Sequence, residues 1–181
     1  PNITVPSKRD IIRNMGAELL LVDAKPYSDP GNYQRVAEQI SKEENEKGNR
    51  VFWASQFENL ANYKFHEKTT AKEIFDQTNG QVDGFTCSIG TGGTLTGVSK
   101  GLKRFNKNIK IACTDSQGSS MYNYFTKGTL EKKGEESITE GIGQARQTNN
   151  LKYCNVDMSY FVDDRECMET LFKLIKKEGL F

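Results

Sequence analysis

The segment 82–98, VDGFTCSIGTGGTLTGV, constrains this chain more than any other, because it reads as a short apolar strand, a glycine turn and the start of a helix. Glycines at 90, 92 and 93 reach backbone conformations closed to other residues and carry no Cβ to hold a ligand away, so successive N–H groups can converge on one anion. Thr91 and Thr94 add hydroxyl donors. A helix that begins here brings unpaired N–H groups and the positive end of its dipole to the same place, which suits a phosphate without help from Lys or Arg. The plain alternative is a glycine-rich connection that only joins strand to helix. No Gly-Lys-Ser/Thr follows, which excludes a P-loop, and Gly-x-Gly-Gly-Thr with Gly97 is a poor match to the GxGxxG of dinucleotide sites. What remains is a small cofactor or substrate carrying one phosphate.

The rest of the chain alternates strands and helices. Ser7, Asp10, Ile11, Ile12 and Met15 predict an N-capped amphipathic helix stopped by Gly16, followed by a buried strand over 19–22. Tyr33, Val36, Ala37 and Ile40 predict a helix running to Gly48, then a strand over 51–54 and one long helix over 61–78. Strands are expected over 82–88, 109–113 and 160–162, and helices over 95–105 and from Asp163 and Asp164 to Gly179. The polar stretch 114–150 is too long for an idle connection, which points to a functional role. Leu180 and Phe181 read as the beginning of a further buried segment, so the sequence looks cut. Such alternation predicts an α/β fold with a mainly parallel sheet.

Charge and side-chain inventory narrow the function. With 25 Lys+Arg against 24 Asp+Glu the formal charge is +1, which leaves no basic footprint for a nucleic acid or an anionic membrane. The apolar run 19–22 is far below the roughly 20 residues that cross a bilayer. Cys87, Cys113, Cys154 and Cys167 form no CxxC, so they read as free thiols in a reducing compartment such as the cytoplasm, with Cys87 and Cys113 as small hydrophobes in strands. His66 is the only imidazole, lies in no HExxH and has no second ligand at helical spacing; it reads as a structural residue, and no metal site is expected.

At the glycine turn the sequence resembles a known family. Ser88-Ile89-Gly90-Thr91-Gly92-Gly93-Thr94-Leu95-Thr96-Gly97 is similar to the phosphate loop of cysteine synthase (O-acetylserine sulfhydrylase), one of the fold-type II pyridoxal phosphate enzymes that also include cystathionine β-synthase. Three further segments agree in order and spacing: Lys8-Arg9 through Met15-Gly16-Ala17-Glu18-Leu19; Gln56-Phe57-Glu58-Asn59 through Asn62, His66 and Thr69-Thr70; and Glu140-Gly141-Ile142-Gly143-Gln144. The resemblance covers essentially the whole chain. It implies a three-layer, tryptophan synthase β-like α/β fold, incomplete at both ends, in which 1–55 end the smaller α/β domain and 56–181 form part of the larger, phosphate-binding one.

The same resemblance implies pyridoxal 5'-phosphate as cofactor, its phosphate cradled by Gly90, Thr91, Gly92, Gly93 and Thr94. It places Gln56 near the substrate carboxylate and the cofactor's ring hydroxyl, and Gly141 on a loop lining the substrate cleft. The implied activity is β-replacement that makes cysteine from O-acetylserine and sulfide, carried out by a full-length homodimer. Ala145 stands where related sequences carry another glycine. The family's Schiff-base lysine, its Ser/Thr-Gly-Asn carboxylate loop and its C-terminal serine at the pyridine nitrogen have no counterpart here, so this stretch alone is expected to be inactive and to supply the phosphate loop. Lys100 and Lys103 read as solvated. The alternatives are a non-catalytic phosphate-binding or regulatory relative, and another fold-type II enzyme such as cystathionine β-synthase or a serine/threonine dehydratase.

Overall fold

A computed structural model describes residues 1–180, and it divides after Ser55 into two units. The first, Pro1–Ser55, holds two helices, α1 (Pro6–Asn14) and α2 (Tyr33–Glu46). Pro6 opens α1 in the first turn, where its missing N–H costs nothing, so Val5 and not Ser7 is the capping position; Gly16 at φ +84° follows the helix. The side chain of Asn32 caps α2, accepting from the Gln34 amide at 3.0 Å while donating to the Lys25 carbonyl at 2.7 Å. The strands expected over 19–22 and 51–54 do not form among the described residues. An apolar run becomes a strand only when a neighbour completes its hydrogen-bond ladder, and Leu20 and Phe52 instead stay 65% and 82% exposed.

The second unit carries the sheet. Strands β1 (Gly84–Cys87), β2 (Lys110–Ser116) and β3 (Met158–Val162) run parallel in the order β1-β2-β3, with Cys87 beside Cys113 and Cys113 beside Ser159. This is the parallel α/β architecture that the alternating pattern predicts. Helices α3 (Ala61–Lys68), α4 (Thr70–Gln77), α5 (Gly93–Phe105), α6 (Met121–Lys127) and α7 (Asp164–Glu178) accompany it, with a 3-10 turn at Leu151–Tyr153. The core gathers Ile89, Leu95, Val98 and Leu102 with Ile109, Ile111, Cys113, Met121 and Leu151, each full burial of an aliphatic side chain contributing about 1.5–3 kcal/mol. Burial pushes the Cys113 thiol up to about 12 and that of Cys154 up to about 11; all four cysteines are free.

Two expectations need correction. The single helix over 61–78 is two helices, broken at Thr69, whose amide and hydroxyl both donate to the Phe65 carbonyl at 2.9 and 3.0 Å. A threonine hydroxyl bonded back to the preceding turn bends a helix, and here the bend separates α3 from α4. Lys103, expected to be only solvated, is also paired: it grips the Asp157 carboxylate at 2.8 and 3.0 Å. At the far end Asp163 caps α7 by accepting from the Glu166 amide at 2.8 Å, and Gly179 at φ +65° closes it. Leu180 is exposed, and Phe181 lies outside the described residues.

Helix α3 packs against α5 along a glycine seam. A β-carbon on Gly93 would overlap the Asn62 side chain, one on Gly97 would lie 2.6 Å from the His66 β-carbon, and one on Gly101 would lie 2.7 Å from the Glu67 carbonyl oxygen. The seam brings α3 close enough for its side chains to reach the start of α5.

Candidate functional site

The chain leaves β1 at Cys87, turns through Gly90, Thr91 and Gly92, and enters α5 at Gly93. Gly92 sits at φ +84°, a left-handed conformation that an L side chain adopts only under strain, and a β-carbon there would also strike Leu151. The acceptors of this loop are tied from behind. The Thr91 carbonyl accepts from the Thr148 hydroxyl at 2.7 Å, the Gly90 carbonyl from Gln144 Nε2 at 3.0 Å, and Thr91 Oγ1 from Asn62 Nδ2 at 3.0 Å and the Gly93 amide at 3.2 Å.

The donors of the same loop stay open. Among the described residues no acceptor engages the amides of Gly90, Thr91, Gly92, Thr94 or Leu95. Helix α5 has no acidic residue in its first turn and carries Lys103 and Arg104 in its last, so its positive end is left uncompensated by its own sequence. Five free donors at the start of a 13-residue helix can take up an anion, and this is the fit that a phosphate group requires.

Gln56 and Gly141 reach this loop by different routes. The Gln56 side chain is exposed, but its carbonyl accepts from Asn62 Nδ2 at 2.8 Å, the same amide group that holds Thr91. Asn150, fully buried, donates to the Gln56 and Phe57 carbonyls at 3.1 and 2.9 Å and accepts from the Tyr63 amide at 3.3 Å. Glu58 pairs with Arg146 at 2.5 Å and accepts from the Asn149 amide. The segment 148–150 therefore braces both the glycine turn and the Gln56 segment. Their one signal in the sequence is their place inside the polar stretch 114–150.

Gly141 is exposed at φ +88°, and its carbonyl oxygen lies 2.7 Å from where a Gly90 β-carbon would stand. Its neighbours are pinned to the turn, the Gly143 amide donating to the Ile89 carbonyl at 2.8 Å. Further back, the Asp164 carboxylate holds the approach to this loop, accepting from the Ser137 hydroxyl at 2.6 Å, the Ile138 amide at 2.8 Å and Gln117 Nε2 at 2.9 Å. Beneath the loop lies a cavity of about 110 Å³ at the carboxyl ends of all three strands, lined among others by Ser88, Asp115, Ser116, Ile142 and Val162. Ligands of parallel α/β sheets bind at this end. Asp115 Oδ1 and Ser116 Oγ are buried there without partners, and burial raises the Asp115 carboxyl above its ordinary value.

His66, expected to be structural, stands directly behind the turn, with Nε2 3.4 Å from Thr94 Oγ1 and Nδ1 2.9 Å from Thr70 Oγ1. No group of metal-ligating side chains occurs among the described residues, and no described helix is long and apolar enough to cross a membrane.

The family model for pyridoxal-phosphate dependent enzymes matches residues 1–181. Cysteine synthase 1 of Neurospora crassa is 39% identical over 186 residues, covering 100% of this chain and 48% of the relative. Cysteine synthase 1 of Emericella nidulans is 37% identical over 185 residues, covering 100% of this chain and 49% of the relative. Among solved structures, the O-acetylserine dependent cystathionine beta-synthase from Helicobacter pylori superposes with a TM-score of 0.76 at 28% identity, over 99% of this chain and 54% of that one. The chain spans about half the length of the curated relatives it matches.

Proposed function

The chain belongs to the pyridoxal-phosphate dependent enzyme family, and on that premise we propose that the protein carrying it is a cysteine synthase that works as a cytoplasmic homodimer. It takes O-acetylserine and sulfide, replaces the acetoxy group at the β-carbon, and releases cysteine and acetate. The observation that carries this reading is the set of open amides at the uncompensated start of α5. Likeness to the two fungal cysteine synthases along the whole chain supports the choice of reaction.

When bound, the cofactor supplies an electron sink for the substrate α-carbon, and the protein supplies binding and orientation. Gly90, Thr91, Gly92, Gly93 and Thr94 hold its 5'-phosphate, the free amides and the Thr94 hydroxyl donating to the anion. A phosphate fixed by several donors fixes the attached ring, which turns a loose encounter with substrate into a positioned one. Gln56 stands on the substrate-carboxylate side of the site, and Gly141 lines the cleft on the loop pinned by Gly143 and Gln144. In this reading 1–55 end the smaller domain and 56–181 belong to the larger one.

A second reading, cystathionine formation, draws support from the Helicobacter pylori neighbour. The deciding experiment purifies the protein that carries this chain and follows acetate release from O-acetylserine with sulfide or with a larger thiol. We expect a visible absorbance band of bound cofactor and faster turnover with sulfide. Faster turnover with the larger thiol favours the second reading, and a colourless protein that releases no acetate refutes both.

A further inference from the structure

The only histidine of the chain is poised to decide which way the Thr94 hydroxyl points. Its ring bridges two hydroxyls, with Nδ1 2.9 Å from Thr70 Oγ1 and Nε2 3.4 Å from Thr94 Oγ1. The glycine seam fixes the ring's base, since the His66 β-carbon fills the space a side chain on Gly97 would need. The helix break at Thr69 starts α4 at Thr70, the residue whose hydroxyl meets the ring.

A neutral imidazole carries one N–H, so this bridge has two possible directions. With the proton on Nδ1, the ring donates to Thr70, and its bare Nε2 accepts the hydroxyl proton of Thr94. Thr94 then has no proton to offer an anion. With the proton on Nε2, Thr70 donates to Nδ1, the ring donates to Thr94 Oγ1, and the Thr94 hydroxyl keeps its proton for the loop. A phosphate monoester dianion has no proton and can only accept, so its arrival selects the second direction.

We propose that His66 is a positioning residue for the anion site: in its Nε2–H form it turns the Thr94 hydroxyl toward a phosphate held by 90–94. The proposal rests on the reading of that turn as a phosphate cradle. It assigns Thr70 a part as well, since the Thr70 hydroxyl holds the tautomer.

One histidine among 181 residues makes the test direct. The chain is labelled with imidazole nitrogen-15, and inorganic phosphate and pyridoxal phosphate are titrated in separate samples. The tautomer is read at alkaline pH, where an imidazole is neutral. The chain bound to pyridoxal phosphate is expected to show a protonated Nε2 and a bare Nδ1, and Thr70→Val to move the ring toward the other form. His66→Leu is expected to weaken anion binding about fivefold, and His66→Gln, which keeps an N–H donor, to recover most of that loss. A protonated Nδ1 in the chain bound to pyridoxal phosphate overturns the role of His66 while leaving the cradle standing, as does His66→Leu binding as well as the parent. Failure of both anions to bind the unaltered chain overturns the cradle and the proposal together. If His66→Leu does not fold, the tautomer of the unaltered chain decides alone.

Discussion

The glycines at 90 and 92 and those at 97 and 101 belong to one continuous stretch of sequence, yet they lack side chains for different reasons. The first two shape a turn whose own amides have no partner among the described residues, one of them at φ +84°, and a β-carbon there would meet the Gly141 carbonyl or Leu151 on the loops that brace the turn. The second two lie on α5 inside the seam with α3, where a β-carbon would meet backbone or a neighbouring β-carbon. Gly93 stands between and serves both, opening the helix while making room for Asn62. The comparison separates what holds the site together from what the site can hold, and each half can be broken without the other.

The largest effect is expected in the seam. Gly97→Ala places a methyl 2.6 Å from the His66 β-carbon and against α3 backbone, neither of which is the far end of a flexible side chain, so α3 and α5 must move apart. Overpacking of this kind should cost about 3 kcal/mol in urea unfolding. A loss below about 0.5 kcal/mol would mean that the seam is looser than its geometry indicates. Asn150→Ala comes next, at about 2 kcal/mol, because it removes a fully buried side chain that the Phe57 carbonyl and the Tyr63 amide pair with, and takes from the Gln56 carbonyl one of its two donors. Chemical denaturation measures it, and a neutral result would show that water replaces the amide group.

The turn should respond in the opposite manner. Thr94→Ala removes a hydroxyl whose one partner among the described residues is His66 at 3.4 Å, so stability should change by less than about 0.5 kcal/mol. Affinity for pyridoxal phosphate should fall by about 1.5 kcal/mol, through the loss of a hydrogen bond to a charged group. Calorimetry and unfolding on the same preparation test the pair of outcomes. If stability falls and affinity holds, Thr94 belongs with the seam and the phosphate lies elsewhere.

This division explains how far the sequence could be read. The turn was legible because a run of glycines and threonines between strand and helix has a local meaning, and the parallel sheet was legible because alternating elements constrain topology. The seam was not, since Gly97 and Gly101 acquire their role only from Tyr63, His66, Glu67 and Ala71 on other helices. Asn150 and Thr148 were hidden for the same reason: their partners lie 57 to 94 residues away in the chain. The runs at 19–22 and 51–54 failed in the other direction. Their apolar residues satisfied a local pattern, but a strand is a property of two segments, and no described neighbour completes theirs. The break falls at Thr69, whose capacity to bond backward to the Phe65 carbonyl is easily outweighed in a periodicity count by Phe65, Ile74 and Phe75.

The smallest effect sharpens the comparison at the far end of α5, away from the turn. Asp157 takes Lys103 from the last turn of that helix and the Ile111 amide from β2, and these two partners, the lysine first, hold its carboxyl below the usual carboxylate range. A lowered folded value means that the contribution is complete above the ordinary carboxylate range, near 4, and is lost as pH falls through the lowered value. Water reaches the pair, with side chains 20% and 30% exposed, so its worth is about 0.5 kcal/mol. Asp115 titrates with the opposite sign, its burial raising the folded value so that stability declines as pH rises through that window. The difference between the parent and Asp157→Asn across acidic pH cancels the Asp115 slope and isolates the Lys103 link. That difference should vanish at the acid end and grow to its plateau above the carboxylate range. A difference that stays constant with pH would assign the link to the geometry of the Ile111 amide bond instead of to charge. In either outcome the anion affinity of the turn should be unchanged, because the link anchors the end of α5 that the free amides do not occupy.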